Sequence, residues 1–374
     1  MRLTIDQHDL QSALSVVSRA VKGHPTMPLL SGVWLRAEGN SLIATGTDLT
    51  ITIQATVPAN VEADGEVVLP ARPLLELVRK FSGGEIRIDV DEQHATITWN
   101  RSRHRLHGIA PNLRPESLAV HDGEPVTLDA ETLKDILWRT TFAVSTDETR
   151  PILTGVQIQG DGQNMRAIAT DGYRVAVVTR NGLSFDRSLS AVIPGRALAE
   201  VGRLLGDEET VTLVLGESTA AVELGDVRLV TRLIDGDYPD VLSLLPSEYP
   251  HKVRVQRQEF LQALERAALV AQGQQTSKHV VRLDIESDRM VITASDPQLG
   301  TAREEVPAQL QGEGMAIGFN ARFLIDGLKV IESEEVEIGL TGPLQAAQIR
   351  GVDKEGFRYV VLPVKLGDRE GVPF

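Results

Sequence analysis

The chain has 374 residues, 42% of them hydrophobic, with 52 acidic against 38 basic side chains, a formal net charge of -14 and no cysteine. At roughly 150 residues per domain the length predicts two or three domains, the missing cysteine excludes disulfides and thiolate metal sites, and no run approaches the ~20 apolar residues of a membrane span. With no apolar leader after Met1, a cytoplasmic protein with no membrane partner is expected, and the acidic balance does not exclude nucleic acid, because binding follows where charges cluster rather than their sum.

A strand-like stretch and an amphipathic helix open the chain from Leu3 to Val21, with Asp6 placed as N-cap. After several strands a second helix carries Arg72, Glu76 and Arg79 on one face and Leu74, Leu75, Val78 and Phe81 opposite. The alternating runs Ile86 to Val90 and Ala95 to Trp99 read as a hairpin. The same order returns from Val126 to Val144, with Asp129 as cap, then Arg196, Glu200 and Arg203, then strands at Val211 to Leu215 and Ala221 to Leu224. It returns again from Val253 to Ala271, with Gln256 in the cap position, then Arg322, Asp326 and Lys329 opposite Leu324, Ile325, Leu328 and Ile331. Leu14, Leu137 and Leu264 hold equivalent places.

Such a repeat fixes the architecture before any local assignment is made. It predicts an α+β fold of three domains, at residues 1–122, 123–249 and 250–366, each with two helices packed on antiparallel sheets. The joints, Val120 to Pro125 and Pro246 to Pro250, are short and contain proline, so neighbouring domains are expected to be held firmly. The tail 367–374 lies outside the repeat and is expected to be disordered or weakly docked.

Catalytic motifs are absent: no phosphate loop, no nucleophile elbow, no zinc-protease signature and no dinucleotide fingerprint. His104 and His107 sit on a strand pattern whose period sends them to opposite faces, so they do not suggest a metal pair. Asp48, Asp171 and Asp296 are repeat-equivalent and each follows a Thr or Ser at the end of an apolar strand. Carboxylates can hold magnesium for phosphoryl transfer, which gives an enzymatic alternative. However, one per domain is a poor single site, and capping of a turn is the expected role. No cofactor and no metal are expected.

Repetition makes the charged helices a candidate binding surface. All three second helices keep base, acid, base, Arg139 and Arg266 hold matched places on first helices, and Lys80 and Lys134 add to the set. Sparse long side chains touching phosphates, with acids between them and no base-edge readers, suit sequence-independent binding that slides. If the helices, each ~10 Å across, line a hole, six leave a bore of roughly 10 Å and twelve about 28 Å. A duplex, whose major groove alone is about 12 Å wide, needs the larger one. A ring on DNA therefore takes two chains.

Several stretches carry a family resemblance: Gly46 to Leu49, Arg150 to Gly155, Ala169 to Arg174, Asp237 to Asp240, Gly318 to Asn320 and Tyr359 to Leu366. In order and on a threefold repeat, they make residues 1 to 366 similar to the bacterial β sliding clamps, the β subunits of DNA polymerase III. The resemblance implies a six-domain ring formed by a head-to-tail homodimer around double-stranded DNA. It implies a processivity factor for DNA replication and repair, with no catalytic activity of its own. Its implied partners are the DNA polymerase III catalytic subunit, an ATP-driven clamp loader and repair polymerases, recognised through short peptide motifs. The implied peptide pocket, between the second and third domains, comprises Arg150, Leu153, Thr170, Gly172, Tyr173, Arg174, Val175, Pro239, Leu244, Val360, Leu362, Pro363 and Val364.

For the dimer interface, Arg101 and Arg103 alternate with Ser102 on an edge strand and so point one way. The family sets such a strand against acids of the other copy's third domain, for which Glu304 and Glu305 are the candidates, with Leu106, Leu269 and Val270 as an apolar centre. The DNA-facing set is His24, Arg72, Arg79, Lys80, Lys134, Arg139, Arg196, Arg203, Arg266, Arg322 and Lys329. The chain departs from the family pattern at His24, where Arg is frequent, which is expected to make that contact weaker and pH-dependent. It departs also at Ser243, in place of a basic residue, at His104, in place of an apolar one, and in its eight-residue extension. Besides the phosphoryl-transfer alternative, a monomeric scaffold that binds proteins only also fits the repeat.

Overall fold

The structure, a computed structural model, describes residues 1–21, 27–108, 123–182, 189–243, 245–271 and 279–366. The first repeat runs β1 (Arg2–Asp6), α1 (Gln7–Val17), β2 (Gly32–Glu38), β3 (Ser41–Thr47), β4 (Ile51–Pro58), β5 (Asn60–Ala63), β6 (Gly65–Pro70), α2 (Ala71–Arg79), β7 (Glu85–Asp91), β8 (His94–Trp99) and β9 (Ser102–His107). The second runs β10 (Glu124–Asp129), α3 (Ala130–Thr140), β11 (Gly155–Gly160), β12 (Asn164–Thr170), β13 (Arg174–Asn181), β14 (Leu189–Pro194), α4 (Gly195–Leu204), β15 (Thr210–Leu215), β16 (Thr219–Leu224) and β17 (Val227–Arg232). The third runs β18 (His251–Gln256), α5 (Arg257–Val270), β19 (Val280–Ile285), β20 (Arg289–Asp296), β21 (Gly300–Gln311), β22 (Met315–Asn320), α6 (Ala321–Val330), β23 (Glu335–Leu340), β24 (Ala347–Gly351) and β25 (Phe357–Val361).

The repeat extends to individual hydrogen bonds. The first strand of each copy pairs with the strand after its second helix, β1 with β7, β10 with β15 and β18 with β23. The first helical N–H donates across that pair to a loop carbonyl in every copy, Gln7 to Gly84 at 2.9 Å, Ala130 to Glu209 at 3.0 Å and Arg257 to Glu334 at 2.8 Å. These bonds satisfy a donor that a helix start leaves unpaired. Asp6 also caps α1, accepting from the His8 N–H at 2.8 Å, whereas Gln256, in the matching place, makes no side-chain cap bond. The glutamine side chain is a poor fit for the short reach of an N-cap.

Asp48, Asp171 and Asp296 form the same turn three times. Each Oδ1 accepts two backbone N–H groups: Thr50 and Ile51 at 3.0 and 2.9 Å, Tyr173 and Arg174 at 2.9 and 3.1 Å, Gln298 and Leu299 at 2.8 and 2.9 Å. Carboxylates committed to their own turns explain the repeated spacing without a metal. Among the described residues no group of three or more His, Asp and Glu is placed to hold a metal ion.

The chain folds as two compact units, Met1–Lys134 with Arg196–Asp235, and Asp135–Gly195 with Gly236–Phe374. The first contains a five-stranded sheet, β5-β1-β7-β8-β9, and an eight-stranded one, β10-β15-β16-β17-β4-β3-β2-β6. The second contains a twelve-stranded sheet, β14-β11-β12-β13-β25-β24-β23-β18-β21-β20-β19-β22. Two pairings between repeats create these large sheets: β17 joins β4 and β25 joins β13, each time the last strand of one copy against the third long strand of the copy before it. The helices pack on the sheets through the apolar faces read from sequence. Leu74, Leu75 and Val78 of α2 and Leu324, Ile325 and Leu328 of α6 are buried, each worth about 1.5–3 kcal/mol relative to exposure. Arg72, Glu76 and Arg79, and Arg322 and Lys329, stay exposed. No described helix is long and apolar enough to cross a membrane.

Candidate functional site

The residues of the expected peptide groove lie in the second unit, where Val175 of β13 stands opposite Val360 of β25. Alternation sends Ala176 and Val178 into the core and leaves Val175 half-buried on the other face. Past β25 the backbone is stitched in place, the Leu362 N–H donating to the Tyr173 carbonyl at 2.8 Å and the Val364 N–H to the Gly318 carbonyl at 2.8 Å. Tyr173 is thereby held 59% exposed and Leu362 45% exposed. Large apolar side chains displayed on fixed backbone suit a docking groove. Leu153, Thr170 and Val360 are buried, Pro363 and Val364 half-buried, and Pro239 exposed. Gly172 adopts a φ of 90° in the Asp171 turn, which brings its bare Cα near the exposed Arg150 guanidinium. Leu244 lies outside the described residues.

Arg174 is the fixed point beneath this surface. Its guanidinium donates to Asp171 at 2.9 Å, to Asp326 at 2.7 Å and to the Phe142 carbonyl at 2.7 Å. It also lies 4.6 Å from the centroid of Phe323 and 5.4 Å from that of Phe142. Phe323 in turn stacks with Tyr173 at 6.5 Å, so the planar fork of arginine orients one exposed groove residue through its neighbour. Tyr238 fastens the connector over the sheet: its hydroxyl accepts from the Thr170 N–H at 3.1 Å and donates to the Ile168 carbonyl at 3.3 Å. Burial pushes this phenol well above its ordinary value, keeping the donor proton in place. Phe142, Phe323 and Tyr238 were not among the expected groove residues. Only the placement of Tyr238 between turn residues in a connector hinted at a role.

The charged helices are less uniform than their sequences. Arg72 pairs with Glu76 at 2.8 Å as the spacing predicts, and Arg203 pairs with Glu200. Arg196 reaches instead to Asp48 at 2.6 Å, and Lys329 to Glu265 of α5 at 2.9 Å. Asp326, the acid of the third stripe, serves Arg174 rather than Arg322. Lys134 pairs with Glu131 at 3.3 Å. Lys80 and Arg322 are exposed, and no described acid lies in ion-pair range of either, while Arg79 is exposed beside Ser15. Arg139 corrects the expectation of a DNA-facing residue: it is 6% exposed, paired with Asp135 at 2.6 Å and stacked 5.5 Å from the Phe357 centroid. A guanidinium so enclosed is not available to a phosphate. His24 lies outside the described residues, as does the tail 367–374.

Two stretches of sheet edge carry the residues expected at the dimer interface. β9 ends the five-stranded sheet, with Arg103 and Arg105 exposed and Leu106 half-buried. Arg101 precedes the strand in the turn rather than alternating along it, since β9 begins at Ser102. In the second unit, residues 308–311 of β21 pair with β18, whereas Gly300 to Pro307 pair only with β20. That segment carries Glu304 and Glu305, and both are already engaged: Glu304 with Arg266 at 2.6 Å, Glu305 with Arg303 at 3.3 Å and Arg289 at 3.4 Å. The Arg266 hydrogen bond holds the Glu304 carboxyl below its ordinary value. At the end of α5, Leu269 is 65% exposed and Val270 half-buried.

Comparison with known proteins gives one consistent answer. Residues 1–116, 127–240 and 242–365 match, in that order, the N-terminal, central and C-terminal domains of the DNA polymerase III beta subunit. A beta sliding clamp of Staphylococcus aureus is 30% identical over 376 residues, covering 98% of this chain and 99% of the relative. The DNA polymerase sliding clamp of Bacillus subtilis superposes with a TM-score of 0.94 at 31% identity, over 98% of this chain and 100% of the other. A C. crescentus beta sliding clamp, solved with PEG at a region described as beta-motif tethering, gives 0.92 at 29% identity over 98% and 100%.

Proposed function

The chain belongs to the DNA polymerase III beta subunit family and serves as a DNA sliding clamp, a processivity factor rather than an enzyme, and we propose that it does so as a head-to-tail homodimer on duplex DNA. The family implies DNA, polymerase and a second copy of the chain as partners. One observation supports the head-to-tail arrangement above the others. The last strand of repeat two pairs with repeat one, and the last strand of repeat three with repeat two. By the same rule β9 of repeat one belongs on β21 of repeat three, and within one chain both edges are open. Pairing two unlike edges is a heterologous contact, which closes when the rotation permits, and it removes two exposed edges.

Carrying the register of β4 on β17 and β13 on β25 across the repeat sets Thr301 opposite Arg105, Ala302 opposite His104 and Arg303 opposite Arg103. Arg103 then shares a face with Glu305, on the diagonal, rather than with Glu304. Leu106, Leu269 and Val270 supply the apolar part. Sedimentation of the purified chain tests this arrangement: a dimer that Leu106→Asp with Leu269→Asp converts to monomer is expected, and a monomeric wild type rules it out.

Inside such a ring the exposed cations Arg72, Arg79, Lys80, Lys134, Arg196, Arg203, Arg266, Arg322 and Lys329 face phosphates, without Arg139. Arg72, Lys134 and Lys329 are held by exposed acids, in pairs worth at most about 1 kcal/mol, so at these positions exchange of a carboxylate for a phosphate is cheap in either direction, and Arg79, Lys80 and Arg322 have no described acid to exchange. That suits a lining that slides. Short peptide segments of the polymerase, the clamp loader and repair polymerases occupy the groove formed by Leu153, Thr170, Gly172, Tyr173, Val175, Val360, Leu362 and Val364, with Arg150 and Pro239 at its rim and Arg174 as its support. Leu362→Asp with Val364→Asp is expected to abolish binding of a polymerase-derived peptide while the dimer persists. Unchanged affinity places the groove elsewhere.

A further inference from the structure

The face of the twelve-stranded sheet that carries Val175 and Val360 continues as an unbroken cross-strand row. Val175 stands opposite Val360, Val360 opposite Gln348, Gln348 opposite Gly339 and Gly339 opposite Lys252. Over the far part of this row the connector Pro246 to Tyr249 closes a cavity of about 490 Å³. Gly339 makes the enclosure feasible, since a Cβ there would lie 2.7 Å from Tyr249 Cγ. The bare backbone lets the tyrosine ring settle directly on the sheet. A smaller cavity of about 390 Å³, at Tyr238 to Leu242, flanks the groove on another side, and its one cation, Arg166, is offset by Asp240.

The 490 Å³ cavity is basic in a chain of net charge -14. Lys252, Arg350 and Arg358 line it, against Glu248 and Glu337. Glu337 is already matched, by Arg350 at 2.7 Å and by Arg254 at 3.4 Å. Among the described residues neither Lys252 nor Arg358 has an ion-pair partner within 4 Å. Glu248 closes no pair with them, and Glu355, beside Arg358 in an adjoining 300 Å³ cavity, closes none either. Two cations therefore stand on one floor without a closed ion pair, Lys252 near enough to Glu337 to help lower its carboxyl, and Arg358 two residues along β25 from the groove wall Val360.

We propose that this cavity receives an acidic side chain of the partner peptide whose apolar anchor sits in the groove. The proposal rests on the groove reading above and adds a charge specificity to it. Spacing sets the reach. Arg358 is about 7 Å from Val360 along one strand, and Lys252 is three strands, about 14 Å, from it. An extended peptide rising ~3.3 Å per residue brings a carboxylate there from two to four residues beyond the anchor. Charge complementarity selects a carboxylate, and the partly enclosed floor strengthens the pair relative to open water.

The test uses the full chain and synthetic, end-capped peptides that differ only in one Asp, or one Asn, walked along the sequence beside a fixed apolar anchor. Fluorescence anisotropy is expected to show the Asp peptide binding roughly three- to tenfold tighter than its Asn twin at one register two to four residues out. The ratio should collapse to about one in Lys252→Ala with Arg358→Ala, and Arg358→Glu should favour a Lys peptide. Equal affinity of the twins at every register overturns the proposal, as does an Asp preference that survives the double substitution. If the Asn peptide binds and Leu362→Asp abolishes it, the groove reading stands even when the charge proposal fails. If no peptide binds at all, both fall.

Discussion

Replacing Arg174 by alanine tests the idea that a buried guanidinium holds the groove in shape. Four interactions are lost together: a charged hydrogen bond to the Phe142 carbonyl at 2.7 Å, the ion pairs to Asp171 and Asp326, and the contact over the Phe323 ring. A hydrogen bond from a charged donor is worth about 1.5–3 kcal/mol and the cation–π contact about 0.5–2 kcal/mol. The Asp326 side chain is 41% exposed, so its pair adds at most about 1 kcal/mol after screening. These contributions overlap, and a net loss of about 2–4 kcal/mol is expected. Hydrogen exchange by mass spectrometry reads it locally. Amides of Ala169 to Ala176 and Gly318 to Val364 should exchange about 30- to 1,000-fold faster, while those of β2 to β4 in the first unit stay unchanged. Arg322→Ala, the exposed base in the same stripe as Asp326, should shift nothing by more than about 0.5 kcal/mol. An Arg174→Ala chain with wild-type protection across both segments refutes the role assigned to this residue.

Other outcomes follow from single contacts. Gly327→Ala, a substitution that helps an ordinary helix, should destabilise by about 1–3 kcal/mol, because the new Cβ overlaps the Tyr359 ring; a raised melting temperature contradicts that packing. Burial raises the Asp48 carboxyl, but the Ile51 and Thr50 amides and Arg196 outweigh it and hold it below its ordinary 3.8. A depressed folded-state pKa gives stability that is present above the unfolded value and lost as pH falls through the folded one. Thermal stability of the first unit should therefore decline below about pH 4, and Asp48→Asn should flatten that decline; identical slopes in wild type and variant refute it. Tyr238→Phe removes the hydrogen bonds that fasten the connector, costing about 1–2 kcal/mol and weakening peptide binding measured by calorimetry. Unaltered affinity detaches the connector from the groove.

Much of the fold is legible because the repeat imposes it. The strand, helix and second-helix order follows from apolar periodicity in each copy, and the spacing of Asp48, Asp171 and Asp296 announced a turn that the backbone bonds bear out. What failed to show is long-range. Arg139 matches Arg266 in sequence, yet Asp135 and Phe357, the latter more than 200 positions away, enclose one while the other stays exposed. Asp326 matches Glu76 and Glu200 by spacing, but Arg174 captures it from another repeat. Nor do the compact units follow the repeat, because β17 on β4 and β25 on β13 divide the middle copy between them. The groove residues owe their recognition to the family resemblance. Local pattern alone marked Val360 to Val364 equally well as a buried final strand.

The central claim is a closed ring on DNA, and topology tests it most directly. With clamp loader and ATP, labelled chain is placed on nicked circular duplex, washed in salt high enough to strip phosphate contacts, and followed by gel filtration before and after the circle is cut. The account predicts retention on the circle through the wash and release within minutes of linearisation. Equal loss from circular and linear DNA in high salt contradicts it, since a protein held by charge alone does not distinguish a circle from a line.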